Sequence, residues 1–282
     1  VVNSLEEMEE AYQLAQREAD TSFGDSEIYI EKYIASPRHI EIQLLFDEYG
    51  EGIYLGERDC SLQRRHQKIL EETPSPVIKP ELRQEMGEMA LKGARAVGYT
   101  NAGTVEFLMD DNNNYYFMEM NTRIQVEHPV TEMVTGIDLV KQQILIAAGE
   151  PLSLRQEDVK LRGHAIECRI NAEDPERNFL PSPGQIEFFH VPGGPGIRVD
   201  TSIYSGYTIS PYYDSMIAKV IAWGENREEA IARLIRALDE LELNGISSNI
   251  LFHLEVLFNP SFRKGEVNTN FINNLINELQ TE

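Results

Sequence analysis

Two glutamates stand inside apolar stretches, where a charged side chain is costly. Glu106 lies in the stretch 104–109, and Glu119 lies in the stretch 115–120. An ionised carboxylate in such surroundings is strongly unfavourable unless a cation or hydrogen-bond donors compensate it. The residues 111–114 between the stretches are turn formers, so the two stretches are predicted to pair as a hairpin. This pairing would bring both carboxylates together, since neighbouring strands lie about 4.8 Å apart.

An amide side chain extends this predicted carboxylate site. Glu119 and Asn121 are two residues apart, so they face the same side of their strand. Two carboxylates and an amide oxygen form a hard oxygen site suited to Mg²⁺ or Mn²⁺, with positions left for substrate phosphates. The alternative is a half-buried hairpin whose polar face simply meets solvent.

The segment after the hairpin alternates polar and less polar residues over nine positions. If fully extended, it would span about 26 Å, more than one small-molecule site. Either these polar residues are unrelated, or the chain bends near Thr122 and wraps around a ligand. The polar positions are Glu119, Asn121, Arg123, Gln125 and Glu127.

A cluster of basic residues contrasts with the charge of the whole chain. The 282 residues include 25 Lys and Arg against 47 Asp and Glu, a formal net charge of −22. This acidity argues against nucleic-acid and anionic-membrane partners. A confined positive pocket in a negative field favours a small anion such as phosphate or bicarbonate, although a solvated loop paired with nearby acids is the alternative. The cluster comprises Arg58, Arg64, Arg65, His66 and Lys68.

Another arginine stands among apolar neighbours. Arg169 lies between Cys168 and Ile170, which indicates a specific partner, either a ligand or a structural carboxylate such as Glu167 or Glu173. Cys60 and Cys168 are the only cysteines, so we predict free thiols and a reducing, cytoplasmic location.

The elements that must position these residues are helices mixed with antiparallel strands, an α+β fold. A capping box at Ser4 predicts a helix ending by Gly24, and further helices are predicted from Pro80 and Asp138. Predicted strands cover 27–34, 40–46 and 53–55, besides the hairpin. Short strands fill 163–223, with Tyr212, Tyr213 and Trp223 in the core. The last helices are predicted at 226–244, 250–258 and 271–279.

Several long motifs resemble those of the biotin carboxylase family, the ATP-grasp component of biotin-dependent carboxylases. The resemblance covers essentially the whole chain. It rests on EKYIASPRHIEIQ at 31–43, GERDCSLQRRHQK at 56–68, FMEMNTRIQVEHPVTE at 117–132, HAIECRINAED at 164–174, FLPSPG at 179–184 and YYDSM at 212–216.

The resemblance implies a role for each matched position in nucleotide and metal binding. Glu106 and Glu119, assisted by Asn121, would hold two Mg²⁺ or Mn²⁺ ions that bridge the ATP phosphates. The other implied ATP-binding residues are Glu31, Lys32, Tyr33, Ile34, His39, Gln63 and His66.

The resemblance also implies the residues that act on bicarbonate and biotin. Lys68, Arg123, Gln125 and the backbone of Val126 would bind bicarbonate, and Glu127 would be its general base. Arg123 and Arg169 would join Glu127 as catalytic residues, with Arg169 stabilising the enolate-like ureido group of biotin.

The implied activity is the first half-reaction of acetyl-CoA carboxylase. Bicarbonate and ATP would form carboxyphosphate, which would carboxylate biotin on a biotin carboxyl carrier protein. Carboxyltransferase subunits would be further partners, and the full-length protein would be a homodimer. Alternatives are another ATP-grasp ligase, such as a carbamoyl-phosphate synthetase-like enzyme, or a non-catalytic nucleotide-binding or dimerisation module.

The chain starts with Val1 and lacks the family's N-terminal domain and glycine-rich phosphate loop. We therefore expect a C-terminal portion that, alone, does not turn over ATP at a useful rate. Residues 1–150 are predicted to be a partial ATP-grasp domain, and residues 151–282 the biotin carboxylase C-terminal domain. The proposed boundary is Gly149-Glu150-Pro151.

Overall fold

The computed structural model describes residues 1–279, which divide into two compact units after Ala35. In the first unit, a 3₁₀ turn (Leu5–Glu7) leads into helix α1 (Met8–Phe23). As predicted, α1 ends at Gly24, whose φ of 70° is a left-handed conformation that glycine adopts without steric cost. Ser4 makes no side-chain capping bond, so the predicted capping box is wrong.

The predicted strand at 27–34 is also wrong. The segment has no regular secondary structure and pairs with no described strand, and its tyrosines, Tyr29 and Tyr33, are exposed. Alternating residue types are not sufficient for a strand, because a strand also needs a ladder partner for its backbone groups.

The second unit contains the remaining helices. Three of the predicted helix starts are confirmed: Pro80 occupies the first turn of α2, and Asp138 and Asn226 cap α4 and α5 through their side chains. The helices are α2 (Pro80–Ala96), α3 (His128–Thr135), α4 (Leu139–Ala147), α5 (Arg227–Glu240), α6 (Ile250–Phe258), α7 (Pro260–Lys264) and α8 (Phe271–Leu279).

The strands of the second unit form one large sheet and three small ribbons. The strands of the large sheet are β1 (Arg38–Phe46), β2 (Gly52–Arg64), β3 (Gln67–Thr73), β4 (Asn101–Met109), β5 (Tyr115–Asn121), β6 (His164–Asn171), β11 (Ile197–Thr201) and β13 (Met216–Gly224). The ribbon strands are β7 (Glu173–Asp174), β8 (Leu180–Pro181), β9 (Gly184–Gln185), β10 (Phe188–His190), β12 (Thr208–Ile209) and β14 (Glu242–Asn244).

The large sheet is antiparallel throughout, in the order β11-β13-β6-β3-β2-β1-β4-β5. The predicted hairpin of β4 and β5 is confirmed. The ladder between β3 and β6 joins strands on either side of the predicted domain boundary at Gly149-Glu150-Pro151. That boundary stays a prediction.

Helices cover both faces of the large sheet. On one face, α2 packs on β1 and β4, while α5 to α8 pack on β6 and β13. On the other face, α4 covers Leu45 and Ala102, and α3 covers Ala165 and Ile221. The candidates Glu106, Glu127 and Arg169 lie on this second face, between the areas covered by α4 and α3.

Two predicted core residues lie on the surface instead. Tyr212 and Tyr213 are 89% and 84% exposed, respectively. They follow Pro211 in a turn before β13, where no opposing layer covers them. Trp223, by contrast, packs against the cluster around Val130, and the predicted free thiols Cys60 and Cys168 are both buried.

Within residues 1–279, no helix combines the length and apolar character needed to cross a membrane.

Candidate active site

Three carboxylates lie in one row across neighbouring strands. On the ladders, Glu41 of β1 is the partner of Glu106 on β4, and Glu106 is the partner of Glu119 on β5. Like charges placed directly opposite each other repel, so such a row requires compensation. The prediction that Glu106 and Glu119 come together is therefore confirmed, and Glu41 joins them.

Lys68 supplies much of that compensation. Its Nζ lies 2.5 Å from Glu41, 3.2 Å from Glu106 and 2.6 Å from Glu127. Burial disfavours the charged ammonium, but the surrounding groups, these three carboxylates among them, raise its pKa above the usual range. Lys68 is therefore a cation fixed between the carboxylate row and Glu127.

Glu41 and Glu106 stay ionised despite their burial. Burial by itself would raise the pKa of Glu41, but the charges of Arg58 and Lys68 outweigh it and bring the value to about 2. Burial likewise opposes the ionisation of Glu106, yet the hydrogen bond from His39 and the charge of Lys68 lower its pKa to about 2. Both groups remain anions at neutral pH.

Glu127 links two cations from different parts of the sheet. It precedes α3 directly, where Pro129 and the turn at 125–128 fix the chain direction. Its Oε1 accepts from Lys68, and its Oε2 accepts from Arg169 Nη2 at 3.0 Å. Because Glu127 is buried, both ion pairs are shielded from bulk water.

Arg169 is held from both its side chain and its backbone. Its Nε donates to Glu71 at 2.6 Å, so its carboxylate partners are Glu71 and Glu127 rather than the Glu167 or Glu173 considered from the sequence. Its carbonyl oxygen accepts hydrogen bonds from Asn249 Nδ2 and His253 Nε2 on α6. The guanidinium is therefore oriented before any ligand binds.

Gln125 is oriented by a buried arginine. Arg58 Nη2 donates to Gln125 Oε1 at 2.8 Å, and Gln125 Nε2 donates to Glu106 at 2.7 Å. Arg58 is fully buried and also contacts Glu41, Gln43, Thr104 and Thr131. The charged and amide side chains on this face of the sheet are together called the polar band. Its members are Glu41, Gln43, Arg58, Lys68, Glu71, Glu106, Glu119, Asn121, Gln125, Glu127, Glu167 and Arg169.

The basic residues of 58–68 do not form one anion pocket. Arg58 and Lys68 point into the polar band, whereas Arg64 pairs with Glu173 at 3.2 Å. Arg65 and His66 form the exposed turn between β2 and β3, both with positive φ. Of the five residues in the predicted basic cluster, only Lys68 and Arg58 contact carboxylates of the polar band.

Two further predicted ligand-binding residues lie at the edge of the polar band. Arg123 is exposed, and its Nη1 donates to the carbonyl of Ile124 at 3.2 Å. The carbonyl of Val126 accepts from Lys219 Nζ at 2.9 Å, and this lysine also pairs with Asp200. The predicted bend is present, because the chain leaves β5 after Asn121 and does not continue as a strand.

The predicted nucleotide-binding residues fall in both units. His39 bridges Gln63 Nε2, 2.8 Å from its Nδ1, and Glu106, 2.8 Å from its Nε2. His66 is on the exposed turn described above. Glu31, Lys32 and Tyr33 are exposed and Ile34 is half-buried, all in the first unit.

Sequence reasoning missed the contacts of Glu41, Gln43, Glu71 and Lys219, and it did not predict that Arg58 is buried. Glu41 gave the same signal as Glu106, a carboxylate between Ile40 and Ile42. For Glu71 and Lys219, the decisive fact is the pairing of β6 with β3 and β13, and no local pattern indicates it.

The carboxylate row fits a divalent cation by the chemistry of its donors. Asn121 Nδ2 lies 3.0 Å from both Glu106 Oε1 and Glu119 Oε1, so these two carboxylates converge on one point. Carboxylate oxygens at the exposed edge of a sheet are ligands that Mg²⁺ prefers, with room left for phosphates and water.

Comparison with known proteins identifies two sequence families along the chain. The family described as "Carbamoyl-phosphate synthase L chain, ATP binding domain" matches residues 1–155. The family described as "Biotin carboxylase C-terminal domain" matches residues 167–274.

Individual relatives agree with these matches. Biotin carboxylase 1 of Bacillus subtilis is 60% identical over 96% of this chain and 61% of its own length. The biotin carboxylase of Allochromatium vinosum is 54% identical over 98% of this chain and 61% of its own length. The chain thus spans less than two thirds of the length of the relatives it matches.

A solved structure has the same fold. It is the biotin carboxylase domain dimer of Hydrogenobacter thermophilus 2-oxoglutarate carboxylase, in complex with MgADP, ADP and bicarbonate. The TM-score is 0.90 at 49% identity, over 96% of this chain and 60% of that one. The expected α+β fold, a partial ATP-grasp domain followed by a biotin carboxylase C-terminal domain, is thereby confirmed.

Proposed function

Because this chain belongs to the biotin carboxylase family, with an ATP-binding domain of the type named for the carbamoyl-phosphate synthase L chain, we propose that the native protein carboxylates biotin at the expense of ATP. The observation that carries this proposal is the position of Glu127 between Lys68 and Arg169. Glu127, the candidate base, contacts Lys68 from the first half of the chain and Arg169 from the second half.

Bicarbonate would bind beside Lys68 and Gln125. Its charge suits the ammonium, and charge-assisted hydrogen bonds are the strong kind for such a ligand. The side chain of Arg123 is exposed and donates a hydrogen bond to the carbonyl of Ile124. We propose that this side chain turns inward to complete the bicarbonate subsite. The backbone of Val126 would be its remaining contact.

Glu127 would act as the general base. It would take the proton of bicarbonate, and the resulting oxyanion would attack the γ-phosphorus of ATP and displace ADP to give carboxyphosphate. A carboxylate base is useful here because bicarbonate is a poor nucleophile until it loses its proton. The cations around the site would stabilise charge on the transferred phosphoryl group.

Arg169 would serve the second stage. Carboxyphosphate would break down to CO₂ and phosphate, and the phosphate would take the proton from N1′ of biotin before N1′ attacks CO₂. An arginine stays charged at neutral pH and can donate two hydrogen bonds to the developing ureido oxyanion. Its ties to Glu71 and Glu127 keep it oriented for that task.

The nucleotide would be held by the residues that the family motifs indicate. Glu106 and Glu119, assisted by Asn121, would hold Mg²⁺ or Mn²⁺, which neutralises charge on the ATP phosphates when bound. His39, Gln63 and His66 would border the nucleoside, and the family motif assigns nucleotide contacts to Glu31, Lys32, Tyr33 and Ile34 as well. A dimer, a biotin carrier protein and carboxyltransferase subunits belong to the same proposal.

Carboxylation of biotin is favoured over carbamoyl-phosphate synthesis. The first half of the chain matches a family named for the latter, but Arg169 lies in the half that matches the biotin carboxylase C-terminal domain. Because Arg169 shares Glu127 with Lys68, the second half contributes directly to the site.

The test is a charge-removing substitution of the proposed base in the native protein. Glu127→Gln should lower bicarbonate-dependent ATP cleavage about 10²- to 10⁴-fold, the usual contribution of a general base, while ATP binding stays within a few-fold. Glu157→Gln, at an exposed carboxylate paired with Arg155, is the matched control and should retain the native rate. Full activity of Glu127→Gln would refute the proposed role of this carboxylate.

A further inference from the structure

Glu167 is fully buried, yet within the described part of the chain neither of its carboxylate oxygens has a hydrogen-bond partner. It precedes Arg169 by two residues on β6, so alternation places both on the sheet face covered by α3. An ionised carboxylate without partners in such a place is strongly unfavourable. Its presence therefore needs an explanation.

A second carboxylate lies directly across the ladder. Glu71 on β3 is the cross-strand partner of Glu167, and such partners have Cβ atoms about 4.5–5.5 Å apart. Glu71 Oε1 accepts from Arg169, whereas Glu71 Oε2 is buried without a hydrogen-bond partner. The pair thus has three unpartnered oxygens, and two ionised carboxylates at this distance would repel each other.

The surroundings of the pair offer little solvation. Val130 and Val134 of α3 pack with Ala165 and Ile221, and Ile221 is the ladder partner of Glu167 on β13. Burial, reinforced by the charge of Glu71, raises the pKa of Glu167 well above its ordinary value. Burial also raises the pKa of Glu71 to about 7, despite the opposing charge of Arg169.

The cations around the pair are held by groups other than Glu167. Lys68 is held by the carboxylate row, Arg169 by Glu71 and Glu127, and Lys219 by Asp200 and the carbonyl of Val126. The titratable groups that act on the pair are Cys60 on β2, Lys68 on β3, Cys168 and Arg169 on β6, Lys219 on β13, and Glu127 directly before α3.

We propose that Glu167 holds a proton in the native protein and, through Glu71, acts as a positioning residue for Arg169. A neutral Glu167 would donate its O–H to the free Oε2 of Glu71, and Glu71, once ionised, would hold the guanidinium. The catalytic part of this inference rests on the proposed function, whereas the proton on Glu167 does not.

Thermal unfolding as a function of pH tests the proton. A carboxyl that is protonated when folded and ionised when unfolded makes the folded state bind more protons, so stability falls as pH rises. Glu167→Gln removes this linkage. The Tm of the variant relative to the native protein should therefore rise by roughly 3 °C per pH unit between pH 5.5 and 8.

Two control variants show whether the pH dependence of the Tm difference comes from the proton on Glu167. Glu157→Gln changes an exposed carboxylate and should show a Tm difference from the native protein that does not vary with pH. Glu167→Met is a second neutral variant and should repeat the result of Glu167→Gln. A pH-independent difference for Glu167→Gln, or failure of both neutral variants to fold at pH 5.5, would overturn the proposal.

The pH profile of biotin carboxylation tests the positioning role. Activity should rise through pH 7 as Glu71 ionises, and Glu71→Gln should abolish this rise. Glu167→Gln keeps a neutral group and should preserve the pH of the rise. An unchanged profile in Glu71→Gln would overturn the positioning role. Absence of carboxylation by the native protein would instead refute the proposed function and leave the Tm test decisive for the proton.

Discussion

At the buried end of the polar band, Lys68 contacts three carboxylates and Arg169 contacts two, whereas at the exposed end Glu119 accepts a hydrogen bond from the amide of Asn121. Arg123, beside that exposed end, contacts a neighbouring carbonyl. The buried end is thus organised before ligands arrive, while the exposed end keeps oxygen atoms accessible. This difference suits a site in which fixed charges meet an incoming metal–nucleotide complex.

The largest expected effect is on the buried end. Arg58→Met should destabilise the protein by about 3–5 kcal/mol, because it leaves Glu41 as a buried charge with one cation fewer. Urea unfolding followed by circular dichroism measures this loss. Arg155→Met, at an arginine whose side chain is 82% exposed, is the control and should change stability by less than about 1 kcal/mol. Equal effects of the two variants would contradict the comparison.

Glu72 is a buried carboxylate on the face of the sheet opposite the polar band. Its ion pair therefore affects the stability of the protein without contacting the candidate site. Burial opposes the ionisation of Glu72, but hydrogen bonds from His164 and Arg227 lower its pKa to about 2. A carboxyl with a lowered folded-state pKa stabilises the protein above its unfolded pKa of about 4.3, and this contribution disappears as pH falls towards 2.

Unfolding free energies measured from pH 6 to pH 2.5 test this behaviour. Native stability should fall by roughly 2 kcal/mol on account of Glu72, and Glu72→Gln should flatten the fall by that amount. Glu157→Gln should leave the slope unchanged. An equally steep slope in Glu72→Gln would show that the ion pair with Arg227 does not stabilise the folded state.

The smallest effect is expected at the exposed end. Glu119→Gln should weaken Mg²⁺-dependent ATP binding by at least about tenfold, since a charge-assisted contact contributes roughly 1.5–3 kcal/mol. Because Glu119 is exposed, the Tm should change little. Titration calorimetry at several Mg²⁺ concentrations measures the binding, with Glu150→Gln as the surface control. A large loss of Tm with unchanged ATP binding would contradict the view that the exposed end of the polar band serves ligand binding rather than stability.

The elements predicted from the sequence are those fixed by local rules. The side-chain caps at Asp138 and Asn226 and the hairpin that joins Glu106 to Glu119 all follow from residues close in the chain. The strand at 27–34 failed because pairing is not a local property. The contact between Arg169 and Glu71 spans 98 positions, and only the β3–β6 ladder reveals it.

The candidate site shows the same limit. Family motifs placed Lys68, Glu127 and Arg169 in one reaction, but a motif carries no information on which carboxylate each cation touches. The buried role of Arg58 was missed because its flanking acids suggested local pairing, whereas Glu57 contacts Arg83 and Asp59 contacts Arg38. The side-chain partners of Arg58, Glu57 and Asp59 come from parts of the chain that are distant in sequence.

The sharing of Glu127 by two cations has a consequence for timing under the proposed function. When this carboxylate accepts a proton from bicarbonate, Lys68 and Arg169 lose the same counter-ion at the same moment. The protein side of the pocket then gains positive charge just as an anionic intermediate forms, and Arg169 Nη2 is freed for biotin while Nε stays on Glu71. A single proton transfer would thereby synchronise the two stages of the reaction without any movement of the backbone.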